Sequence, residues 1–141
     1  MMRRDLFDLI SHADAAGLRC SLTPTATALP TISRLRRAQE AGVRRIALSL
    51  DAPTPTVHDA FRKVVGSWER TMTILRKARE IGLSTQINTT VTTHNVELLP
   101  EMVTFVKDVG AVQWSVFFLV PKGRCAAQHR AAGGRCGVRV P

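Results

Sequence analysis

Hydrophobic and polar positions alternate along this chain in a unit that repeats four times: an amphipathic helix, a glycine and a strand. The helical segments end in AAGL, EAGV, EIGL and DVGA, and the residues that follow turn apolar or β-branched. The pattern predicts helices over residues 4–16, 32–41, 55–61, 68–81 and 96–109. Strands are predicted over residues 18–25, 44–51, 83–91 and 112–120.

Residues that favour helix starts stand where these helices begin. Thr31, Ser67 and Asn95 each precede a helix and carry side chains that accept hydrogen bonds from first-turn N–H groups. Pro55 suits the first position of the short third helix. Alternation of helices and strands with short links predicts an α/β fold with a parallel sheet. No strand precedes the first helix, so we expect the chain to be part of something larger.

One face of each predicted strand is polar, although strands covered on both sides are usually apolar throughout. The opposite face of the middle strands carries Leu48, Leu50, Ile87 and Val91, which we expect beneath the helices. An unpaired buried hydroxyl or amide costs about 1–3 kcal/mol, so the polar face is wet, cross-bonded or occupied by a ligand. Because α/β proteins bind ligands at the carboxyl ends of their strands, we expect a ligand-binding lumen there. The polar residues at those ends are Thr23, Thr25, Ser49, Asp51, Asn88 and Thr90.

A purely structural interpretation of these residues stays open. Ser49 and Thr90 would then hydrogen-bond across strands, and Asp51 would cap the following turn.

The sequence offers no metal site. Its three cysteines form no Cys-x2-Cys pair, and the one in the first strand, Cys20, is interpreted as a buried, inert thiol. The histidines that follow lack metal-ligand spacing and are interpreted as surface or turn residues: His12, His58 and His94. We therefore predict neither a metal ligand nor a catalytic residue.

Charge and hydropathy indicate which classes of partner are not expected. The net charge is +9, but residues 122–141 hold five basic residues and no acid, and the chain has no Tyr, so nucleic-acid binding is not expected. No apolar run approaches the ~20 residues of a membrane span, and the amino terminus does not resemble a secretory signal. We predict a cytoplasmic protein with no membrane partner. Residues 122–141 are predicted to be a disordered or non-native tail; a basic interaction tail is the alternative.

Four motifs resemble the radical S-adenosylmethionine (radical SAM) family: SLD, HDAFR…GSW, QINTTVTTHN and GAVQWSVFFLVPKGR. The resemblance covers about residues 4–124 and is greatest to cofactor- and peptide-maturing members with an additional iron–sulfur region. It implies a partial (β/α)6 TIM-like barrel, of which residues 1–121 would supply the last four strands. In this family a [4Fe–4S] cluster reductively cleaves S-adenosylmethionine, and the resulting 5′-deoxyadenosyl radical abstracts hydrogen from a small-molecule or peptide substrate.

The resemblance also implies roles for particular residues. Thr23, Thr25 and Ser49 would approach the ribose or methionine part of S-adenosylmethionine, with Asp51 at the same rim. The lumen would be lined by Asn88 and Thr90. The backbone from Phe117 to Leu119 would flank the adenine.

The family's cluster motif, Cys-x3-Cys-x2-Cys, is absent from this sequence, as is its Gly-Gly-Glu/Asp-Pro motif. We therefore predict a fragment of a radical SAM oxidoreductase that is inactive alone and whose partners include the missing amino-terminal half or a reductant protein. The alternative is a non-catalytic half-barrel binding module that pairs with another chain. A metal-free aldolase or lyase would need a lysine in the lumen, whereas the central lysines belong to predicted helix surfaces: Lys63, Lys77 and Lys107.

Overall fold

The computed structural model describes residues 3–25 and 30–118. The helices are α1 (Leu6–Ala15), α2 (Ile32–Glu40), α3 (Pro55–Arg62), α4 (Ser67–Glu80) and α5 (Leu99–Asp108). The strands are β1 (Cys20–Leu22), β2 (Val43–Ser49), β3 (Ser84–Val91) and β4 (Gln113–Phe118). The last residues predicted for the fourth strand, and the tail at 122–141, lie outside the described residues.

The strands form one parallel sheet in the order β1-β2-β3-β4, which confirms the predicted α/β class. The prediction for the first strand, 18–25, is too long, since β1 contains three residues. Two features account for this: the pairing with β2 shifts between Cys20 and Ser21, and Pro24 has no N–H to continue the ladder. The carboxyl end of β1 is therefore an irregular segment.

The core lies between the sheet and the helices, on the face predicted from the alternation. Leu48, Leu50, Ile87 and Val91 are all at most 1% exposed. Thr89 is a polar residue on the same face, and its burial is explained by its hydrogen bonds. Its hydroxyl donates to the Leu50 carbonyl at 2.6 Å and accepts from Trp114 Nε1 at 2.9 Å.

The helix ends agree with the sequence in part. Thr31 caps α2, and its hydroxyl accepts from the Arg34 N–H at 3.3 Å. Ser67 is instead the first residue of α4, and Asn95 precedes a 3₁₀ turn, Val96–Leu98, rather than α5 itself. Neither of these two caps its helix, because other hydrogen bonds engage both side chains.

A glycine with positive φ follows α1, α2, α4 and α5, as the repeated pattern predicts. The position after α2 is the most restricted. Gly42 has φ +116°, and a Cβ atom there would lie 2.5 Å from the Cβ of Asp14. Only glycine fits between α1 and the start of β2 without displacing the chain.

Candidate cofactor-binding site

The polar face predicted from the sequence is present in the sheet. Along β3, burial alternates strictly: the helix-facing residues are buried, whereas Gln86, Asn88 and Thr90 are half-buried on the other face. The register places Ser49 beside Asn88, and Thr90 beside Phe117. Four predicted site residues on three neighbouring strands therefore share one face.

Two hydroxyls on this face, those of Ser49 and Thr90, differ from the neighbouring amides in their bonding. Asn88 Oδ1 accepts from Gln86 Nε2 at 2.8 Å, so this amide belongs to a network within the sheet. Within residues 3–25 and 30–118, the side-chain hydroxyls of Ser49 and Thr90 have no hydrogen-bond partner. The cross-strand bonds that the structural interpretation assigned to these two hydroxyls are absent from that part of the chain, so both hydroxyls are available to a ligand.

Asp51 differs from the expectation of an open rim. It is 1% exposed, and both carboxylate oxygens are engaged. Oδ1 accepts from the Thr90 N–H at 2.8 Å, and Oδ2 accepts from Arg62 Nε at 2.5 Å. A carboxylate buried at this point requires such partners, so the side chain turns inward and ties the ends of β2 and β3 to α3.

The backbone of Asp51 is also hydrogen-bonded by side chains. Its N–H donates to His58 Nδ1 at 3.1 Å, and its carbonyl accepts from Asn95 Nδ2 at 2.9 Å. Asn95 also donates to the Thr90 carbonyl at 2.9 Å. This role explains why Asn95 does not cap α5. Asn95 thus joins the ends of β2 and β3, and His58 ties the Asp51 backbone to α3.

The interpretation of His58 as a surface or turn residue is wrong. His58 is 1% exposed, and Nδ1 accepts a backbone hydrogen bond, which requires the neutral imidazole. Burial lowers the pKa of His58, and the nearby Asp51 carboxylate opposes that effect only in part. The sequence contained one indication of this placement. His58 and Arg62 are four residues apart, so their side chains lie on the same face of a helix.

Asp59, on the same helix, performs the capping expected of Ser67. Its carboxylate accepts from the N–H groups of Gly66 at 2.5 Å and Trp68 at 2.9 Å, and from the Ser67 hydroxyl at 2.9 Å. Burial raises the pKa of Asp59, but the hydrogen bonds from Trp68, Gly66 and Ser67 outweigh this and lower it below its ordinary value. The α3 helix therefore anchors both β2 and α4.

A cavity of about 300 Å³ opens between the carboxyl ends of β1 and β2 and the helices α3 and α4. Its lining includes Thr23, Thr25 and Ser49, three of the predicted site residues, together with Arg62. This volume is at the lower end of small-molecule sites. On the sheet face Asn88 lies beside Ser49, and Thr90 lies beside Phe117; none of Asn88, Thr90 and Phe117 lines the cavity. Leu119 lies outside the described residues.

Arg62 is a candidate site residue that the sequence analysis did not predict. Its side chain is 35% exposed and lines the cavity while Nε bonds the Asp51 carboxylate. In the described part of the chain, no three His, Cys, Asp or Glu side chains form a possible metal site. Cys20, the one cysteine in that part, is an unpaired thiol.

The model of the Radical SAM superfamily matches residues 1–106. The chain belongs to this superfamily. An AdoMet-dependent heme synthase from Nitratidesulfovibrio vulgaris is 41% identical over 126 residues, which is 89% of this chain and 34% of that protein. A pre-heme d1 synthase from Dinoroseobacter shibae is 30% identical over 124 residues, or 88% of this chain and 30% of that protein.

Among solved structures, SuiB from Streptococcus suis matches with a TM-score of 0.71 at 17% identity, over 86% of this chain and 28% of SuiB. This likeness confirms the partial α/β barrel of the radical SAM fold. The predicted resemblance to cofactor- and peptide-maturing members is confirmed as well. The chain spans about a third of the length of the curated relatives it matches.

The radical SAM family implies S-adenosylmethionine and a [4Fe–4S] cluster as cofactors. No helix in residues 3–25 and 30–118 combines the length and hydropathy needed to cross a bilayer.

Proposed function

We propose that this chain forms the S-adenosylmethionine-binding carboxyl portion of a radical SAM oxidoreductase barrel. Membership of the superfamily supports the cofactor class. The location is supported by the hydroxyls of Ser49 and Thr90, which have no hydrogen-bond partner among the described residues and lie at the carboxyl ends of adjacent parallel strands. Parallel α/β sheets bind ligands at this edge.

In this proposal each side chain has a role that fits its surroundings. Ser49, with Thr23 and Thr25 across the cavity, binds the ribose or methionine part of S-adenosylmethionine. Arg62 supplies the positive charge that pairs with the cofactor's carboxylate. Asp51 acts through Arg62 and the strand ends, and is a positioning residue.

The rest of the sheet face forms the lumen beside the cofactor. Asn88 and Thr90 line it, and the backbone at Phe117 flanks the adenine. Phe117 is 54% exposed on this face, so its surroundings leave room for a ring system.

The iron–sulfur cluster does not fit the described residues. A [4Fe–4S] cluster needs a set of cysteine thiolates, and Cys20 is a single thiol in β1. The chemistry that S-adenosylmethionine supplies in this family is reductive cleavage beside such a cluster. We therefore propose that the 141-residue chain binds the cofactor but does not turn over alone, and that the cluster and its reductant come from other polypeptide segments.

The substrate proposed is a small molecule or a peptide. The relatives named above are a heme synthase and a pre-heme d1 synthase, and SuiB has been solved bound to its precursor peptide SuiA. The soluble compartment proposed is the cytoplasm.

Titration calorimetry with S-adenosylmethionine tests the proposal. Ser49→Ala should weaken binding roughly fivefold, since one neutral hydrogen bond contributes about 1 kcal/mol. Ser33→Ala is the matched control, because Ser33 is exposed on α2 and should leave the affinity unchanged. Absence of binding by the wild-type chain, or equal affinities of the two variants, would contradict the assigned site.

A second candidate function is a non-catalytic half-barrel that pairs with another chain. The open sheet supports it: among the residues that the structure describes, β1 and β4 each have one sheet neighbour, and Phe117 and Phe118 on β4 are 54% and 52% exposed. Light scattering distinguishes the candidates. A dimer that binds no S-adenosylmethionine favours the pairing module, whereas a monomer that binds nothing eliminates it.

A further inference from the structure

Arg45 is a cation on the polar face of the sheet, at the end away from the cavity. Arg45 pairs with Ser21 on β1 and Ser84 on β3 in the strand register, so its side chain shares the face of Ser49. Ser49 follows Arg45 by four positions along β2, which corresponds to roughly 13 Å at about 3.3 Å per residue. Arg45 therefore lies near the amino-terminal edge of the sheet, on the face that would line the proposed lumen.

Neutral amides hold this guanidinium. Arg45 Nη1 donates to Gln86 Oε1 at 3.3 Å and also to Gln113 Oε1. Each amide is oriented by a further bond, because Gln86 Nε2 donates to Ser115 Oγ at 3.1 Å and Gln113 Nε2 to the same oxygen at 3.3 Å. The amide oxygens thus point towards the cation and the amide nitrogens away from it.

No carboxylate in the described part of the chain bonds Arg45. In residues 3–25 and 30–118 its bonding partners are the two glutamines alone, and β2, β3 and β4 contain no acidic residue. Arg44, its neighbour in sequence, faces the other way and pairs with Asp14 at 3.0 Å. The remaining N–H groups of Arg45 are donors in a fixed fork that suits an oxyanion.

We propose that Arg45, presented by Gln86 and Gln113, binds an oxyanion of the substrate in the lumen. This deepens the proposed function: the substrate would carry a carboxylate or phosphate roughly 13 Å from the Ser49 rim where the cofactor binds. Arg45 is then a specificity residue that selects acidic substrates and sets how far they enter the lumen.

Nuclear magnetic resonance of the ¹⁵N-arginine-labelled chain tests the inference, with citrate and pyrophosphate as separate probes at constant ionic strength. Each probe should shift the Arg45 Nε–H signal, and the more effective one identifies the anion class. Arg45→Gln should bind at least roughly tenfold more weakly, as expected when a charge-assisted hydrogen bond is lost. Arg45→Lys, which keeps the charge but not the fork, should be intermediate.

Arg44→Gln is the control and should bind the probes like the wild type. Equal affinities of the wild type and Arg45→Gln, or equal losses in Arg44→Gln and Arg45→Gln, would overturn the assignment. S-Adenosylmethionine is titrated into the same proteins, and its affinity should not change in Arg45→Gln. If S-adenosylmethionine does not bind but citrate binds the wild type more tightly than Arg45→Gln, the proposed function fails and the anion site stands. If S-adenosylmethionine binds but citrate binds both proteins equally, only the anion site is overturned.

Discussion

Replacing Asp51 by Asn tests whether this residue holds the rim together. The amide oxygen can still accept from the Thr90 N–H, now as a neutral bond. The amide nitrogen, however, would face Arg62, so one charge-assisted bond is replaced by two opposed donors. Breaking a fully buried ion pair costs about 3–5 kcal/mol, but Arg62 is 35% exposed and water can solvate it. We expect a loss of about 2–3 kcal/mol in the free energy of unfolding.

Urea unfolding measures this loss, and Asp14→Asn provides the same chemical change in an exposed pair. Asp14 and Arg44 have side chains 35% and 65% exposed, for which we expect at most about 1 kcal/mol. A double-mutant cycle with Arg62→Gln adds a second criterion, because coupled residues give losses that do not add. Equal losses for Asp51→Asn and Asp14→Asn, or additive losses in the cycle, would refute the assignment of Asp51 as the anchor.

Other predictions concern α3 and the turn after α2. The pKa of His58 is lowered in the folded state. The contribution of His58 to stability is therefore complete above the unfolded pKa of about 6.5 and is lost as the pH falls below that value. Urea unfolding should show this loss in the wild type but not in His58→Gln. Asp59→Ala should cost about 1 kcal/mol by the same measurement, as for loss of a helix cap, and no loss would contradict the capping role. Gly42→Ala should lower the melting temperature more than Gly82→Ala, because a Cβ at Gly82 meets no atom within 4 Å; equal shifts would argue against the close approach of Asp14.

The elements and the polar face could be predicted because each depends on local, periodic information. Helix-ending glycines, the Thr31 cap and the alternation along β3 are all visible within a few residues. The length of β1 was predictable only in part. Pro24 is a local signal for the end of the strand, whereas the register shift against β2 is a tertiary property.

The partners of charged residues were the part that sequence reasoning missed. His58, Asp59 and Arg62 occupy one short helix. His58 bonds the Asp51 N–H, Arg62 bonds the Asp51 carboxylate, and Asp59 accepts hydrogen bonds from residues around the start of α4. Each contact joins segments whose relative placement follows from packing rather than from local pattern. The same is true of Arg45, whose glutamine partners are 41 and 68 residues away in sequence.

The structure separates the roles of Ser49 and Asp51. The sequence analysis places both at one rim, where a charged carboxylate at the end of a buried strand is costly. In the structure that cost is met by Arg62 and the Thr90 N–H, which leaves no carboxylate oxygen unengaged. The same bonds hold the ends of β2 and β3 together, and so place the hydroxyls of Ser49 and Thr90 on the common face. Residues whose polar atoms are fully used build the rim, and the hydroxyls that remain are the groups a cofactor can bind.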